Sequence, residues 1–160
     1  MTYCDAAPLD RSTKLTSAAF VAALTGLAIS LQAADAGGRA GVLGIGLPVA
    51  AVALAYGFAP KGYEVSDAGD LRVVRRWFGG RRFSITSAEL TSAVFGLGGI
   101  RLMGSGGAFG WYGLFWRKGT GRYRAYVTDR SRLVACKGPD GLVVISPADP
   151  GAFVVAVTAP

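Results

Sequence analysis

The 160-residue chain contains no histidine and only two cysteines. Histidine is the commonest general base and a frequent metal ligand, so its absence removes the residue on which most hydrolytic and metal-dependent sites rely. Cys4 and Cys136 lie too far apart in sequence for a metal-binding motif or a disulfide framework, and we expect two free thiols. We therefore expect a non-enzymatic protein without a metal or any other cofactor.

Acidic residues are also scarce, with 10 Asp and Glu against 17 Lys and Arg and a net charge of +7. Residues 1–58 contain three charges of each sign, so the whole excess lies in residues 59–160. Most carboxylates fall in predicted turns, where turn and capping roles are far commoner than catalysis. A nearly uncharged apolar part joined to a basic polar part indicates two regions in two different solvents.

Two long stretches lack charged residues altogether. Residues 15–34 and 40–59 each contain about 20 residues, and a helix of that length spans the roughly 30 Å hydrocarbon core of a bilayer. Only residues 35–39, DAGGR, lie between them, and so short a connection forces an antiparallel hairpin. The sequence therefore predicts a transmembrane helical hairpin, preceded by residues 1–14 as an N-terminal cytoplasmic segment.

Small residues in these stretches predict close helix packing, because they let two backbones approach. A proline bends the second helix, which membrane helices tolerate when neighbours satisfy the freed carbonyl. Packing within the hairpin is favoured over a specific dimer motif. The residues predicted to pack there are Gly26, Gly41, Gly44, Gly46 and Pro48.

The charges that flank the two stretches predict their orientation. Arg11 and Lys14 precede the first, Lys61 and the basic region follow the second, and the connection is neutral. The positive-inside rule then places both termini on the cytoplasmic side of a bacterial inner membrane. A cleaved signal peptide is the alternative, because residues 34–36, ADA, resemble a cleavage site; we expect the segment to be retained.

From residue 60 onward, runs rich in Val, Tyr, Phe and Trp alternate with Gly and Asp turns, which predicts consecutive antiparallel strands. Residues 79–80, GG, and 119–121, GTG, are typical of hairpin turns. Residues 104–107, GSGG, predict a flexible loop. About seven short strands indicate a small barrel or sandwich, and residues 151–158 predict a short helix that covers its open end.

The aromatic residues near position 111 alternate along one predicted strand. Trp111 and Phe115 fall on the opposite side from Tyr112 and Trp116. One set should fill the core. We expect the other set to be exposed and to face lipid headgroups or a partner, because a soluble domain seldom exposes such a patch.

Three segments of the second half are similar to those of a known family. They are a Tyr-x-Val strand at residues 63–65 followed by an Asp/Gly turn, residues 123–129, YRAYVTD, and residues 143–153, VVISPADPGAF. With two preceding membrane helices, the chain resembles bacterial membrane proteins with a pleckstrin-homology-like (PH-like) domain. The resemblance implies an α+β membrane protein: a transmembrane hairpin plus a PH-like domain at residues 60–160. It implies a seven-stranded antiparallel, partly open barrel with a short C-terminal helix.

Residues 75–83, RRWFGGRRF, place four arginines and several aromatic residues around one predicted turn. Beside a membrane, this turn suits contact with anionic headgroups or with another protein; a solvated hairpin with its aromatics in the core is the third alternative. In PH-like domains that bind inositol phosphates, cations cluster on the first hairpin, but residues 66–70, SDAGD, are acidic here. We therefore do not expect inositol-lipid binding. The predicted partner or headgroup contacts are Arg75, Arg76, Trp77, Arg81 and Arg82.

Two functions suit these features. The first is a non-enzymatic accessory or scaffolding subunit that stabilises a larger bacterial membrane complex, for example a respiratory or photosynthetic one. Its PH-like domain would contact the cytoplasmic face of that complex. The alternative is a stand-alone protein that senses or binds anionic lipid at the membrane surface. The expected partners are other integral membrane subunits and membrane lipids; nucleic acid is not expected, because no binding motif is present.

Overall fold

A computed structural model of the chain describes residues 3–34, 40–66, 69–91 and 99–158. The first elements are β1 (Tyr3–Ala6), α1 (Arg11–Ala34) and α2 (Ala40–Phe58). The elements that follow are β2 (Pro60–Val65), β3 (Asp70–Arg75), β4 (Arg81–Ser84), β5 (Ser87–Thr91), β6 (Ile100–Gly107), β7 (Gly110–Arg117), β8 (Gly121–Val127), β9 (Leu133–Gly138), β10 (Gly141–Ile145) and α3 (Pro150–Thr158).

The described strands form two sheets, one in the order β1-β2-β3-β4 and one in the order β5-β9-β10-β8-β7-β6. The prediction of seven strands, all antiparallel, is wrong on both counts. Nine strands, β2 to β10, are described within residues 60–160, and β10 runs parallel to β8, with Leu142 opposite Tyr123. The reason is geometric: β10 inserts between β8 and β9, which run in opposite directions, so it can be antiparallel to only one of them.

The N-terminal strand belongs to the four-stranded sheet. β1 pairs antiparallel with β2, so part of the predicted N-terminal segment packs with the domain. Gly62 permits this pairing, because a Cβ there would lie 2.8 Å from the carbonyl oxygen of Asp5. β1 thus covers β2 and becomes the edge strand of this sheet.

Residues 104–107 are strand, not the flexible loop that the sequence predicts. Gly104 pairs with Gly113 across β6 and β7, and both residues have positive φ angles, 116° and 131°. A Cβ on Gly104 would lie 2.0 Å from the carbonyl oxygen of Tyr112. The glycines here therefore allow a close strand approach rather than mobility.

The main core draws on both sheets and on α3. Phe153 of α3 is fully buried against it and Val154 packs beside it, which confirms the predicted C-terminal helix with its apolar face on the core. Tyr63, the first residue of the Tyr-x-Val motif, is also fully buried. Its hydroxyl donates to the carbonyl oxygen of Tyr126 at 2.5 Å and accepts from the backbone N–H of Ser146 at 3.3 Å. Burial raises the pKa of Tyr63 to about 12, which keeps it a neutral donor.

A second apolar cluster covers the opposite face of the six-stranded sheet. Phe115 and Trp111 belong to it, whereas Tyr112 belongs to the main core, so the predicted alternation is confirmed. The expectation that one set would be exposed is wrong for Phe115, which is only 3% exposed. Tyr123 stacks on it with ring centroids 5.8 Å apart.

The two N-terminal helices pack against each other. In α1, residues 11–31 are long and apolar enough to cross a membrane, and only 6% of the apolar window is buried within the protein. So little burial is unlike the core helix of a soluble domain. In α2, the apolar part with described side chains, Gly46–Phe58, is shorter. Among the described residues there is thus one candidate membrane-spanning helix.

Candidate functional site

The helices meet the β domain first at the start of α1, where Asp10 caps the helix. The backbone N–H of Thr13 donates to Asp10 Oδ1 at 2.5 Å, and that of Arg130 donates to Oδ2 at 3.3 Å. The backbone N–H of Asp10 in turn donates to the carbonyl oxygen of Thr128. Burial opposes ionisation, but these hydrogen bonds and one from Ser12 outweigh it and hold the pKa of Asp10 below its ordinary value. The first turn of α1 is thereby fixed to the end of β8.

The next turn of α1 holds the tip of the β6–β7 hairpin. The hydroxyl of Thr16 donates to the carbonyl oxygen of Gly107 at 2.9 Å. The backbone N–H of Phe109 donates to Ser17 Oγ at 2.7 Å, and Ser17 donates to the carbonyl oxygen of Thr13. Phe109 has φ 57°, a conformation that costs energy for a residue with a side chain. In this conformation the β6–β7 turn lies against α1, and the backbone N–H of Phe109 bonds to Ser17.

The C-terminal end of α2 is capped by the link between β3 and β4. The backbone N–H groups of Arg76 and Trp77 donate to the carbonyl oxygens of Ala59 and Gly57, both at 3.1 Å. These bonds use carbonyl groups that a helix end leaves without partners. A Cβ on Gly57 would lie 2.7 Å from the Trp77 ring, so glycine is what lets the indole lie on the helix.

Two arginines of the predicted contact turn are occupied inside the protein. Arg76 donates from Nη1 to the hydroxyl of Tyr56 at 3.1 Å, and its guanidinium carbon lies 4.7 Å from the centroid of that ring. Arg75 lies 5.5 Å from the ring centroid of Phe58. Cations at a helix C-terminus are favourable, so both side chains help to fix the end of α2.

The other members of the predicted turn differ in position. Trp77 is 60% exposed and packs edge-on against Tyr56 beside the end of α2. Arg81 and Arg82 are exposed neighbours on β4, and successive strand residues point to opposite faces of a sheet. Arg82 accordingly lies near Glu64 in a small surface hollow, away from Arg81. The five predicted residues therefore do not form one contact surface.

A cleft of about 1040 Å³ opens between the hairpin and the β domain; we call it the arginine cleft. Its helical wall is apolar and includes Ala19, Phe20, Leu54 and Phe58. Residues of β4 and β6, each an edge strand of its sheet, line the cleft. Its arginines come from β3, β4, β6 and β8 and are Arg75, Arg81, Arg101 and Arg124.

The charge of the arginine cleft is unbalanced. No Asp or Glu lines it, and none of its four arginines pairs with a carboxylate of residues 3–34, 40–66, 69–91 or 99–158. Sequence reasoning missed Arg101 and Arg124, which are 26 and 49 positions from Arg75 in the chain. Only the fold brings them together, and no local motif marks them.

The residues predicted to pack the hairpin have different surroundings. A Cβ on Gly26 or Gly46 would meet no other atom within 4 Å, so neither glycine lies at a close helix contact. Gly41 and Gly44 lie in α2, but their surroundings are outside the described residues. Pro48 lines a groove of about 610 Å³ between α1 and α2, whose walls are almost entirely apolar.

Two cysteine thiols but no metal-ligand cluster lie among the residues that the structure describes. Within the described ranges, no group of three or more His, Cys, Asp and Glu residues could hold a metal ion. Cys4 and Cys136 are free, and burial raises the pKa of the Cys136 thiol to about 12, so it is not a ready nucleophile.

A comparison with known protein families matches residues 63–159 to the family described as Bacterial PH domain. No curated protein and no solved structure matches the chain. The matched segment begins at Tyr63 in β2 and ends just beyond α3, so it covers most of both sheets and the terminal helix. The two sheets, the buried Tyr63 network and the helix over the core agree with that match, and the chain belongs to the bacterial PH domain family.

Proposed function

We propose that this protein is a non-enzymatic accessory subunit of a larger bacterial membrane complex. Helices α1 and α2 both cross the cytoplasmic membrane, and the PH domain lies on the cytoplasmic face. The observation that carries the proposal is the hydrogen-bonded joint between the two helices and the PH domain. Both helices are hydrogen-bonded to the domain, through Thr16, Ser17 and the capping residue Asp10 at the start of α1 and through Gly57 on α2. A preorganised surface costs less to bind than a tethered one, which suits a structural subunit.

The membrane placement is supported by the outer surfaces of the helices. Leu27 and Ile29 on α1 and Leu47 and Val49 on α2 are each more than half exposed. Such a surface suits lipid tails or neighbouring membrane helices. The 19 residues of α2 span about 28 Å at ~1.5 Å per residue, close to the core of a bilayer. The start of α1 and the end of α2 both join the domain, so a membrane-crossing hairpin keeps that domain on one side.

A partner helix has a matching place in the groove between α1 and α2. Its wall includes the small residues Ala28 and Ala53, and Trp77 and Phe109 line it as well. Small residues let helices approach closely in a bilayer, where packing drives association. Membership of the bacterial PH domain family supports a binding role, because PH domains are typically binding modules rather than catalysts.

The alternative function, a stand-alone sensor of anionic lipid, requires the four arginines of the turn to act together. Arg76 is held by Tyr56, and Arg82 lies apart from Arg75 and Arg81. Because these side chains do not share one exposed surface, we place this alternative second.

The test is cross-linking in native membranes followed by purification in mild detergent. A photoreactive residue at Val49, which is 60% exposed in the groove, should give one protein adduct of defined mass. The same residue at Lys118, in the exposed β7–β8 turn, should not give that adduct. The partner should copurify at a constant ratio. Ala28→Trp, which fills the groove, should abolish the adduct, whereas Ala23→Trp on an exposed position outside it should not. A homogeneous species that contains only this chain would overturn the proposal.

A further inference from the structure

The arginine cleft contains an excess of positive charge that the joint does not neutralise, although one of its arginines, Arg75, also lies against Phe58 at the end of α2. The guanidinium carbons of Arg81 and Arg124 lie 5.5 and 5.7 Å from the same ring centroid, that of Phe83, and Arg124 also donates from Nη1 to the carbonyl oxygen of Asp140 at 3.4 Å. Arg101 folds back along β6, since its Nη1 would lie 3.3 Å from a Cβ on Gly106. Four like charges that line one cleft repel one another, and an anion among them would turn that repulsion into attraction.

The guanidinium group specifies the kind of anion. Arginine presents several N–H donors in a planar fork that matches phosphate oxygens, and it keeps its charge at all physiological pH values. Four arginines from four strands therefore suit a phosphate group better than a single carboxylate.

The helical wall of the cleft, opposite the arginines, is apolar and suits a ligand that also has an apolar part. Ala19, Phe20 and Leu54 line the cleft together with the arginines, and Leu54 is 52% exposed. A volume of about 1040 Å³ is far more than one inorganic phosphate fills. A ligand with a phosphate at one end and a hydrocarbon chain at the other would satisfy both walls.

We propose that the arginine cleft binds one anionic phospholipid of the cytoplasmic leaflet, with its phosphate among Arg75, Arg81, Arg101 and Arg124 and an acyl chain along α1 and α2. The inference rests on the proposed membrane placement of the hairpin, but not on a partner complex. Thr16 to Phe20 and Leu54 to Phe58 are the turns nearest the domain, so the cleft lies at headgroup depth. Basic residues at that depth attract anionic lipids. A lipid is favoured over an acidic protein segment because the leaflet already supplies it there.

The first test uses the purified full-length chain in mild detergent. Native mass spectrometry should detect one retained phosphatidylglycerol and much less phosphatidylethanolamine with the same acyl chains. Phosphatidylglycerol should also raise the midpoint of thermal unfolding, because it binds the folded state. Equal retention of the two lipids would overturn the proposal. An equal shift with inorganic phosphate at millimolar concentration would also overturn it, since it would assign the site to a free anion.

Matched charge variants locate the site. The double variant Arg81→Gln/Arg101→Gln removes two charges from the cleft, and Arg82→Gln/Lys118→Gln removes two outside it. We expect the first to weaken phosphatidylglycerol binding by about tenfold or more and the second by less than about twofold. Equal losses would mean that net charge alone governs binding, which contradicts a built site.

The apolar wall needs its own test, because charge variants leave it unchanged. Ala19→Trp fills the cleft without changing charge, whereas Ala18→Trp adds the same bulk to the neighbouring exposed position outside it. Only Ala19→Trp should lower lipid retention.

A photoreactive residue at Met103, 70% exposed in the cleft, should give an adduct with the mass of a phospholipid in native membranes; a protein adduct would contradict the proposal. Since lipid retention is measured on the isolated chain, its failure leaves the Val49 cross-link to a partner untouched.

Discussion

The start of α1 and the end of α2 are joined to the PH domain by different chemistry. At the start of α1, side chains make the joint: Asp10, Thr16 and Ser17 each bond to backbone groups of the β domain. At the end of α2, backbone groups of the β3–β4 link bond to helix carbonyls, and aromatic rings pack over the gap left by Gly57.

Because of this difference, we expect different kinds of substitution to weaken the two joints. A joint made by side-chain hydrogen bonds is weakened when atoms are removed, because a buried backbone group loses its partner. A joint made by backbone groups is insensitive to such removals. It is weakened instead when volume is added at the close approach.

The largest effect is expected from Gly57→Val. Its Cβ would lie 2.7 Å from the Trp77 ring and 2.8 Å from that of Phe78, so both rings must move off α2. Overpacking of this kind typically costs about 1–3 kcal/mol, and we expect the upper end of that range. The midpoint of thermal unfolding in detergent measures the loss, and tryptophan fluorescence should report the displacement of Trp77.

Gly46→Ala is the matched control in the same helix. A Cβ at Gly46 meets nothing within 4 Å, so the variant should be neutral or stabilised by up to about 1 kcal/mol through helix propensity. If the two variants unfold at the same temperature, the packing of aromatic residues on Gly57 does not support the joint.

A smaller effect is expected from Ser17→Ala at the α1 joint. Ser17 is 8% exposed, and its loss leaves the backbone N–H of Phe109 without its acceptor. An unsatisfied buried donor costs about 1–3 kcal/mol. Ser30→Ala, which removes a comparable bond to the carbonyl oxygen of Gly26 on an exposed face, should cost less than about 0.5 kcal/mol. Comparable unfolding midpoints for the two variants would mean that the β6–β7 tip does not hold α1.

The same contrast explains what the sequence could predict. Local patterns located α1 and α2 by their lack of charge, and the turn near residues 79–80 by its glycines. Contacts between distant segments left no local signal. The parallel pairing of β8 with β10 depends on where β10 inserts, and the arginine cleft depends on four strands meeting. The link between β3 and β4 is also longer than a tight turn, because residues 76–77 leave the strand to cap α2.

The smallest effect concerns the pH dependence of the α1 joint. The pKa of Asp10 is lower in the folded protein than its ordinary value of 3.8, so its ionised form stabilises the fold above about pH 4. That contribution is lost as the pH falls through the folded pKa. Asp10→Asn keeps a side chain that can cap the helix but cannot ionise. The midpoint of thermal unfolding, measured from pH 6 to pH 2.5, should be higher for the wild type than for the variant at pH 6. The two midpoints should converge in acid. A difference between the two midpoints that stays constant over that range would mean that the charge of Asp10 does not stabilise the α1 joint. Hydrogen-bond geometry alone would then hold α1, as it does at the end of α2.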